Sequence, residues 1–76
     1  MISIYIELFD IGNLVNLLSK MECVVNVVCG NKVANGKSYL GVVSIYTVPQ
    51  MIITFPNGYN SVDEIYAKRV KERWGI

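Results

Sequence analysis

The tetrapeptide Asn35-Gly36-Lys37-Ser38 ends as a phosphate-binding Walker A loop ends. That loop also needs a glycine five positions before its second glycine. It must follow a strand and open a helix long enough to aim its dipole at phosphates. Asn31 stands at the glycine position and Gly30 is one residue too early, so the reading favoured here is a turn followed by a serine helix cap. Glu7 and Asp10 are spaced as a pair of carboxylates, but general acid–base work needs one of them desolvated in a cleft. The surrounding sequence builds none, and the two are assigned to a solvent-facing strand position and a helix cap. Lys68, Arg69, Lys71 and Arg73 gather four of the seven basic residues near the C-terminus. Asp63 and Glu64 precede them, which is the order that complements a helix macrodipole. No aromatic-and-basic strand motif accompanies them, so nucleic acid is not expected as a partner.

Cys23 and Cys29 are the only cysteines, both within CVVNVVC. That segment reads as one strand, in which six residues span about 20 Å at about 3.3 Å each. A disulfide needs Cα atoms within about 7 Å, so the two are expected to be small buried thiols in a reducing, cytoplasmic setting. Histidine is absent, which removes the commonest general base and metal ligand. Two thiolates alone are too few for structural zinc, and neither a metal nor a cofactor is expected.

These groups must be held by a small scaffold. Seventy-six residues allow one domain spanning 1–76, and a content of 53% hydrophobic and 17% charged residues excludes intrinsic disorder. The net charge of +1 points to no charged class of partner. MISIYIELF lacks a basic region and a cleavage site, and no apolar run approaches the roughly 20 residues of a membrane span. No membrane association is expected.

Ile2, Ile4, Ile6 and Leu8 alternate with Ser3, Tyr5 and Glu7, which predicts a half-buried strand over 2–8. Asp10 is placed as an N-cap, with Phe9 and Leu14 as a hydrophobic staple. Ile11, Leu14, Val15, Leu18 and Met21 predict a helix over 11–21. Residues 23–29 form a β-branched strand, Gly30-Asn31 a turn, and 32–34 a short strand. Ser38 caps a helix from Tyr39 to Ile45. Residues 50–55 form a fourth strand, closed by Pro56-Asn57-Gly58. Ser61-Val62-Asp63-Glu64 reads as a capping box. A final helix over 62–73 carries an apolar stripe of Val62, Ile65, Tyr66, Val70 and Trp74. The order is β-α-β-β-α-β-α. Helices that cannot bury their stripes alone should cover one face of a four-stranded sheet, leaving the other face to solvent or a partner. A bare face on so apolar a chain leads to an expectation of weak self-association.

The stretch Ser19–Ile45 reads SKMECVVNVVCGNKVANGKSYLGVVSI. Lys37, Ser38, Gly41, Val42, Ser44 and Ile45 fill a Lys-Ser-x-x-Gly-Val-x-Ser-aliphatic run, with no gap back to Ser19-Lys20. In this the chain resembles the HPr phosphocarrier family of the sugar phosphotransferase system, more loosely so out to residues 13–70. The resemblance implies an α+β, open-faced β-sandwich with a four-stranded antiparallel sheet in the order 1-4-2-3. The family's carrier histidine lies in a loop at the start of its first helix, supported by an arginine. Here there is no histidine, no arginine precedes Arg69, and the first strand runs almost directly into Asp10. A phosphohistidine relay is therefore not carried over, and the chain is expected not to be an enzyme.

Ser38 stands at the position of the family's regulatory serine, and the resemblance makes it a candidate phosphorylation site. Lys37, Tyr39, Leu40 and Val43 stand where the family presents a short helix to partner proteins. The leading expectation is a regulatory or protein-binding module. The alternatives are a carrier using a non-histidine acceptor, Glu7 or Ser38, and a small nucleic-acid-binding domain.

Overall fold

The computed structural model describes residues 1–76. Its four strands are β1 (Ile2–Tyr5), β2 (Asn26–Cys29), β3 (Lys32–Asn35) and β4 (Gln50–Thr54). Its three helices are α1 (Ile11–Ser19), α2 (Tyr39–Ile45) and α3 (Ser61–Trp74). The strands form one antiparallel sheet in the order β1-β4-β2-β3, and the three helices pack on it. This is the expected α+β fold, with the sheet order that the resemblance implies. Ile2, Ile4, Val27, Cys29, Met51 and Ile53 are the sheet residues that face the helices, and they are buried with Ile11, Leu14, Leu18, Val42, Val70 and Trp74. No helix is long and apolar enough to cross a membrane.

The turns follow local chemistry. Cys29 pairs with Lys32 across a two-residue turn, with Gly30 at φ 62°. A positive φ at the first central residue alone is the type II′ arrangement, which matches the twist of a hairpin. Gly58, at φ 71°, closes the turn after β4 and donates its amide to the Phe55 carbonyl at 2.9 Å.

Several boundaries differ from the expected ones. The first strand stops at Tyr5 rather than 8: the Ile6 amide reaches the Pro49 carbonyl at 2.8 Å, and proline has no amide with which to extend the ladder. The chain then turns through a 3-10 segment, Leu8–Asp10, and Leu8 is exposed rather than buried with Ile2, Ile4 and Ile6. Phe9 forms no staple with Leu14, because Phe9 is 85% exposed while Leu14 is fully buried. The second strand begins at Asn26, not 23, so Cys23 lies in the connection before it and is only half-buried. The third strand extends one residue further, to Asn35, and α1 ends at Ser19 rather than 21.

The reason for the shortened second strand is Asp63. Its carboxylate accepts from the amide of Glu22 at 2.9 Å and from that of Cys23 at 3.2 Å. Those amides serve the carboxylate instead of a ladder. Asp63 is 1% exposed and is the one buried charged residue. It also turns α3 on its axis relative to expectation: the buried positions are Asp63, Ala67, Val70 and Trp74, while Val62 and Ile65 face outward. The capping box is replaced too. Asn60, not Ser61, is the cap, and its Oδ1 accepts from the amides of Val62 and Asp63 at 3.2 and 3.3 Å. Glu64 is exposed.

Replacing Asp63 with alanine leaves two amides without their acceptor in a partly buried loop. A hydrogen bond to a charged group contributes about 1.5–3 kcal/mol, so Asp63→Ala is expected to cost about 2–4 kcal/mol in urea unfolding. Asp63→Asn, which keeps one acceptor oxygen, should recover part of that loss.

Candidate functional site

The segment 35–45 is built around short backbone-directed bonds. The Asn35 carbonyl accepts from the Ser38 amide at 3.0 Å, and Asn35 Oδ1 accepts from the Lys37 amide at 2.9 Å. Gly36 is buried, and its amide reaches the Val25 carbonyl at 2.8 Å. A Cβ at position 36 would lie 2.9 Å from Val25 Cγ1 and 3.1 Å from Leu18 Cδ1. Only glycine allows this close approach. Asn35-Gly36 is thus the point where the turn is pressed against the core, with no phosphate cradle around it.

Ser38 takes an extended backbone conformation and caps α2, its Oγ accepting from the Gly41 amide at 3.1 Å. It is half-buried. Gly41 has a physical reason to be glycine: a Cβ there would lie 3.0 Å from Ser38 Oγ. The Ser-x-x-Gly spacing therefore encodes a cap and the space for it. Ser44 returns its hydroxyl to the Gly41 carbonyl at 2.7 Å. Lys37, named from the sequence as a contact residue, is half-buried and donates its Nζ to the Met21 carbonyl. It acts as a strut between the turn and the end of α1.

Of the other residues singled out, Val43 is half-buried and packs on the core. Tyr39 is half-exposed and Leu40 is 77% exposed. The Tyr39 ring stands against Gly12, whose notional Cβ would be 3.7 Å from Tyr39 Cε1. The first turns of α1 and α2 are therefore neighbours. Next to that meeting point in sequence lie Leu8 and Phe9, both exposed. The sequence reading assigned these two to the interior. The signal that could have found them was Pro49, whose missing amide ends the ladder opposite the exit of β1.

Asp10 sits at the start of α1 but makes no side-chain cap bond. Its Oδ1 accepts from Asn13 Nδ2 at 2.7 Å and its Oδ2 from Trp74 Nε1 at 2.8 Å. Arg73 approaches Oδ1 at 3.5 Å and lies 4.7 Å from the centre of the Trp74 ring. The cap expected of Asp10 is instead a clamp between the start of α1 and the end of α3. The bonds from Asn13 and Trp74 hold its carboxyl below the ordinary value against the opposing effect of burial, with Arg73 adding a lesser pull in the same direction. Glu7 is exposed and does not join Asp10 in a carboxylate pair.

The two cysteines are free and differently placed. Burial and the neighbouring Asp63 carboxylate push the Cys23 thiol up. For Cys29, burial also works to raise the thiol, but the Thr47 hydroxyl, 3.5 Å from its sulfur, and the backbone of Thr47 and Val48 outweigh it, and the net shift is downward. Its side chain remains buried. Cys23 lines a groove of about 670 Å³ with Glu22, Val24, Tyr59 and Asp63, in which both oxygens of the only buried carboxylate already accept backbone amides. Comparison of the chain with protein-family models, with curated proteins and with solved structures gives no match.

Two outcomes test this geometry. Replacing a helical glycine with alanine ordinarily stabilises by about 1 kcal/mol, whereas loss of a serine cap costs about 1 kcal/mol. Gly41→Ala should therefore be unfavourable in the parent chain and less unfavourable, or stabilising, in a Ser38→Ala background, as read by a double-mutant cycle of urea melts. The Asp10 clamp should be visible in acid. Because its folded pKa lies below the ordinary 3.8, its stabilisation is complete above that value and is lost as pH falls through the folded pKa. The melting temperatures of the parent and Asp10→Asn should then converge below about pH 3.8. Fluorescence of Trp74, the only tryptophan, should shift over the same range in the parent alone.

Proposed function

We infer that this chain is a non-catalytic protein-binding or regulatory module related to HPr-type phosphocarriers and acting in the cytoplasm. The observation that carries the reading is the pairing of a Ser38 cap, in the Lys37-Ser38-x-x-Gly41 run, with a rim of exposed apolar side chains. Tyr39 and Leu40 supply that rim on α2, and Leu8 and Phe9 supply it beside α1. Contiguous exposed apolar patches commonly mark a protein interface, and the first turns of α1 and α2 meet where Tyr39 stands against Gly12. The antiparallel β1-β4-β2-β3 sheet is the topology that the resemblance implies, and it supports the same reading.

A carrier role through Glu7 or Ser38 is the alternative. Against it stands the use of the neighbouring residues: Asp10, Asn13, Arg73 and Trp74 are engaged with one another, and the Ser38 hydroxyl is engaged with Gly41. Nucleic-acid binding is disfavoured by the spread of the basic residues. Arg73 faces Asp10 and Lys37 faces a backbone carbonyl, so neither adds to a continuous cationic stripe.

A photo-crosslinking amino acid placed at Leu40 should trap a defined protein in cells, and Phe9→Lys or Tyr39→Lys should abolish the crosslinked band. Absence of a band, or a band insensitive to those substitutions, would remove the reading. Ser38→Asp should alter affinity for the trapped partner more than it alters the melting temperature, since one cap bond is worth only about 1 kcal/mol. Incubation with phosphoenolpyruvate and the first enzyme of the transport system should leave the chain unlabelled. Label on Glu7 or Ser38 would establish the carrier alternative instead.

A further inference from the structure

The peptide group between Met21 and Glu22 is held from both sides by charged side chains. Its carbonyl oxygen, on Met21, accepts from Lys37 Nζ, and its N–H, on Glu22, donates to Asp63 Oδ1 at 2.9 Å. The other carboxylate oxygen takes the next amide, that of Cys23, at 3.2 Å. A trans peptide points its carbonyl and its N–H in opposite directions, so the ammonium and the carboxylate stand on opposite sides of one planar unit. They do not pair directly: the chain's one ion pair joins Arg73 to Asp10. Each charge has a fixed base. The Lys37 amide reaches Asn35 Oδ1, and the Gly36 amide before it reaches the Val25 carbonyl. Asp63 lies in the first turn of α3, its amide on the Asn60 cap, and is 1% exposed, so water screens that end little.

We propose that Lys37 and Asp63 act as one electrostatic unit through the Met21–Glu22 peptide, which makes Lys37 a positioning residue for Asp63 and for the start of α3. A peptide unit carries a dipole of about 3.5 D. Its positive N–H end lies on the carboxylate and its negative carbonyl end on the ammonium, so both bonds favour the same orientation. A cation on the carbonyl draws electron density from the nitrogen and makes the N–H a stronger donor, as hydrogen bonds in series polarise one another. A buried carboxylate needs such donors, and here one of its two backbone donors is strengthened by a charge that it never touches. Turning the peptide over would set its carbonyl against the carboxylate and its N–H against the ammonium. The two side chains therefore lock its plane together. The unit ties the turn that carries Ser38 to the first turn of α3. It also holds one wall of the 670 Å³ groove, Glu22 and Cys23, to the other, Asn60 and Asp63. A change that draws the Lys37 ammonium away is felt across that groove. The coupling is separate from the α1–α2 rim and does not depend on what that rim binds.

A double-mutant cycle of urea melts on the full chain tests the coupling. Lys37→Met keeps the aliphatic stem without its charge, and Asp63→Asn keeps an acceptor oxygen without its charge. The unfolding constant of the double variant should differ at least about threefold from the product of the two single effects, as for residues of one network, with each loss smaller once the other charge is gone. Lys37→Arg, which keeps a cationic donor, should remain near the parent. Nuclear magnetic resonance supplies a readout that lost packing would not reproduce. In Lys37→Met the Glu22 amide proton should move upfield by more than that of Cys23, whose peptide carbonyl Lys37 does not touch. Hydrogen exchange at the Asp63 amide should quicken at least about threefold, since local openings are independent of distant ones, while the Ile76 amide on the Ser3 carbonyl keeps its parental rate. Additive effects in the cycle would overturn the proposal, as would equal displacement of the Glu22 and Cys23 protons. Unchanged exchange at Asp63 would overturn the positioning of α3 by Lys37.

Discussion

Asp63 is the only charge taken out of water, and it lies where three parts of the chain must meet. Its carboxylate closes the connection that leaves α1, through the amides of Glu22 and Cys23. Its own amide lies in the first turn of α3, bonded to the Asn60 cap. A buried carboxylate is tolerated only when its oxygens find donors, so its position dictates the path of residues 21–25 and the rotation of α3 together. Lys37, held to the Met21 carbonyl, fixes the other side of the same connection. The turn that presents Ser38 is thereby anchored to the end of α1, and α2 starts where it does because residues 21–25 go where Asp63 sends them.

At the opposite end of the helical layer the Asp10–Trp74 bond plays the corresponding part. It joins the start of α1 to the end of α3, so the two helices run antiparallel with a polar tie at each end. The β1 edge is finished nearby: the Ile76 amide donates to the Ser3 carbonyl at 3.1 Å, and Gly75 bridges Ile4. A Cβ at position 75 would fall 2.4 Å from the Lys71 carbonyl oxygen, so the chain can leave α3 and reach the sheet edge only through glycine. Tyr46 adds a third tie, its hydroxyl donating to the Ile6 carbonyl at 2.9 Å. These links confine the helical layer to one side and leave the sheet's other side bare.

Two surfaces are left exposed by this construction, and they differ in kind. Where α1 and α2 meet, Tyr39 stands against Gly12, with exposed Leu40 next in sequence and Ser38 as the cap of α2. The outer sheet face carries Ile52, Val28 and Val33 in one row between rows of polar and aromatic residues. Every buried side-chain nitrogen and oxygen of the molecule has a hydrogen-bond partner.

Alternation over 2–8, the β-rich runs at 23–29 and 50–55 and the 3.6-residue spacing at 11–21 carried the strand and helix order, because they are set by which side chains must leave water. Local chemistry carried the Gly30 hairpin and the Ser38 cap on Tyr39–Ile45, since a turn and a cap involve residues within three or four positions of one another. The sheet order was legible only through the resemblance, strand pairing being a long-range matter. What the tertiary structure alone decided lies wherever a polar group chose a distant partner over a near one. Asp63 took amides some forty residues away, which shortened the second strand and turned Val62 and Ile65 outward. Asp10 took the indole of Trp74 over the amides of its own helix, and the tight exit from β1 left Phe9 in water rather than on Leu14. A local cap and a distant hydrogen bond are of similar strength, so a sequence that permits both states no preference until burial makes one of them compulsory.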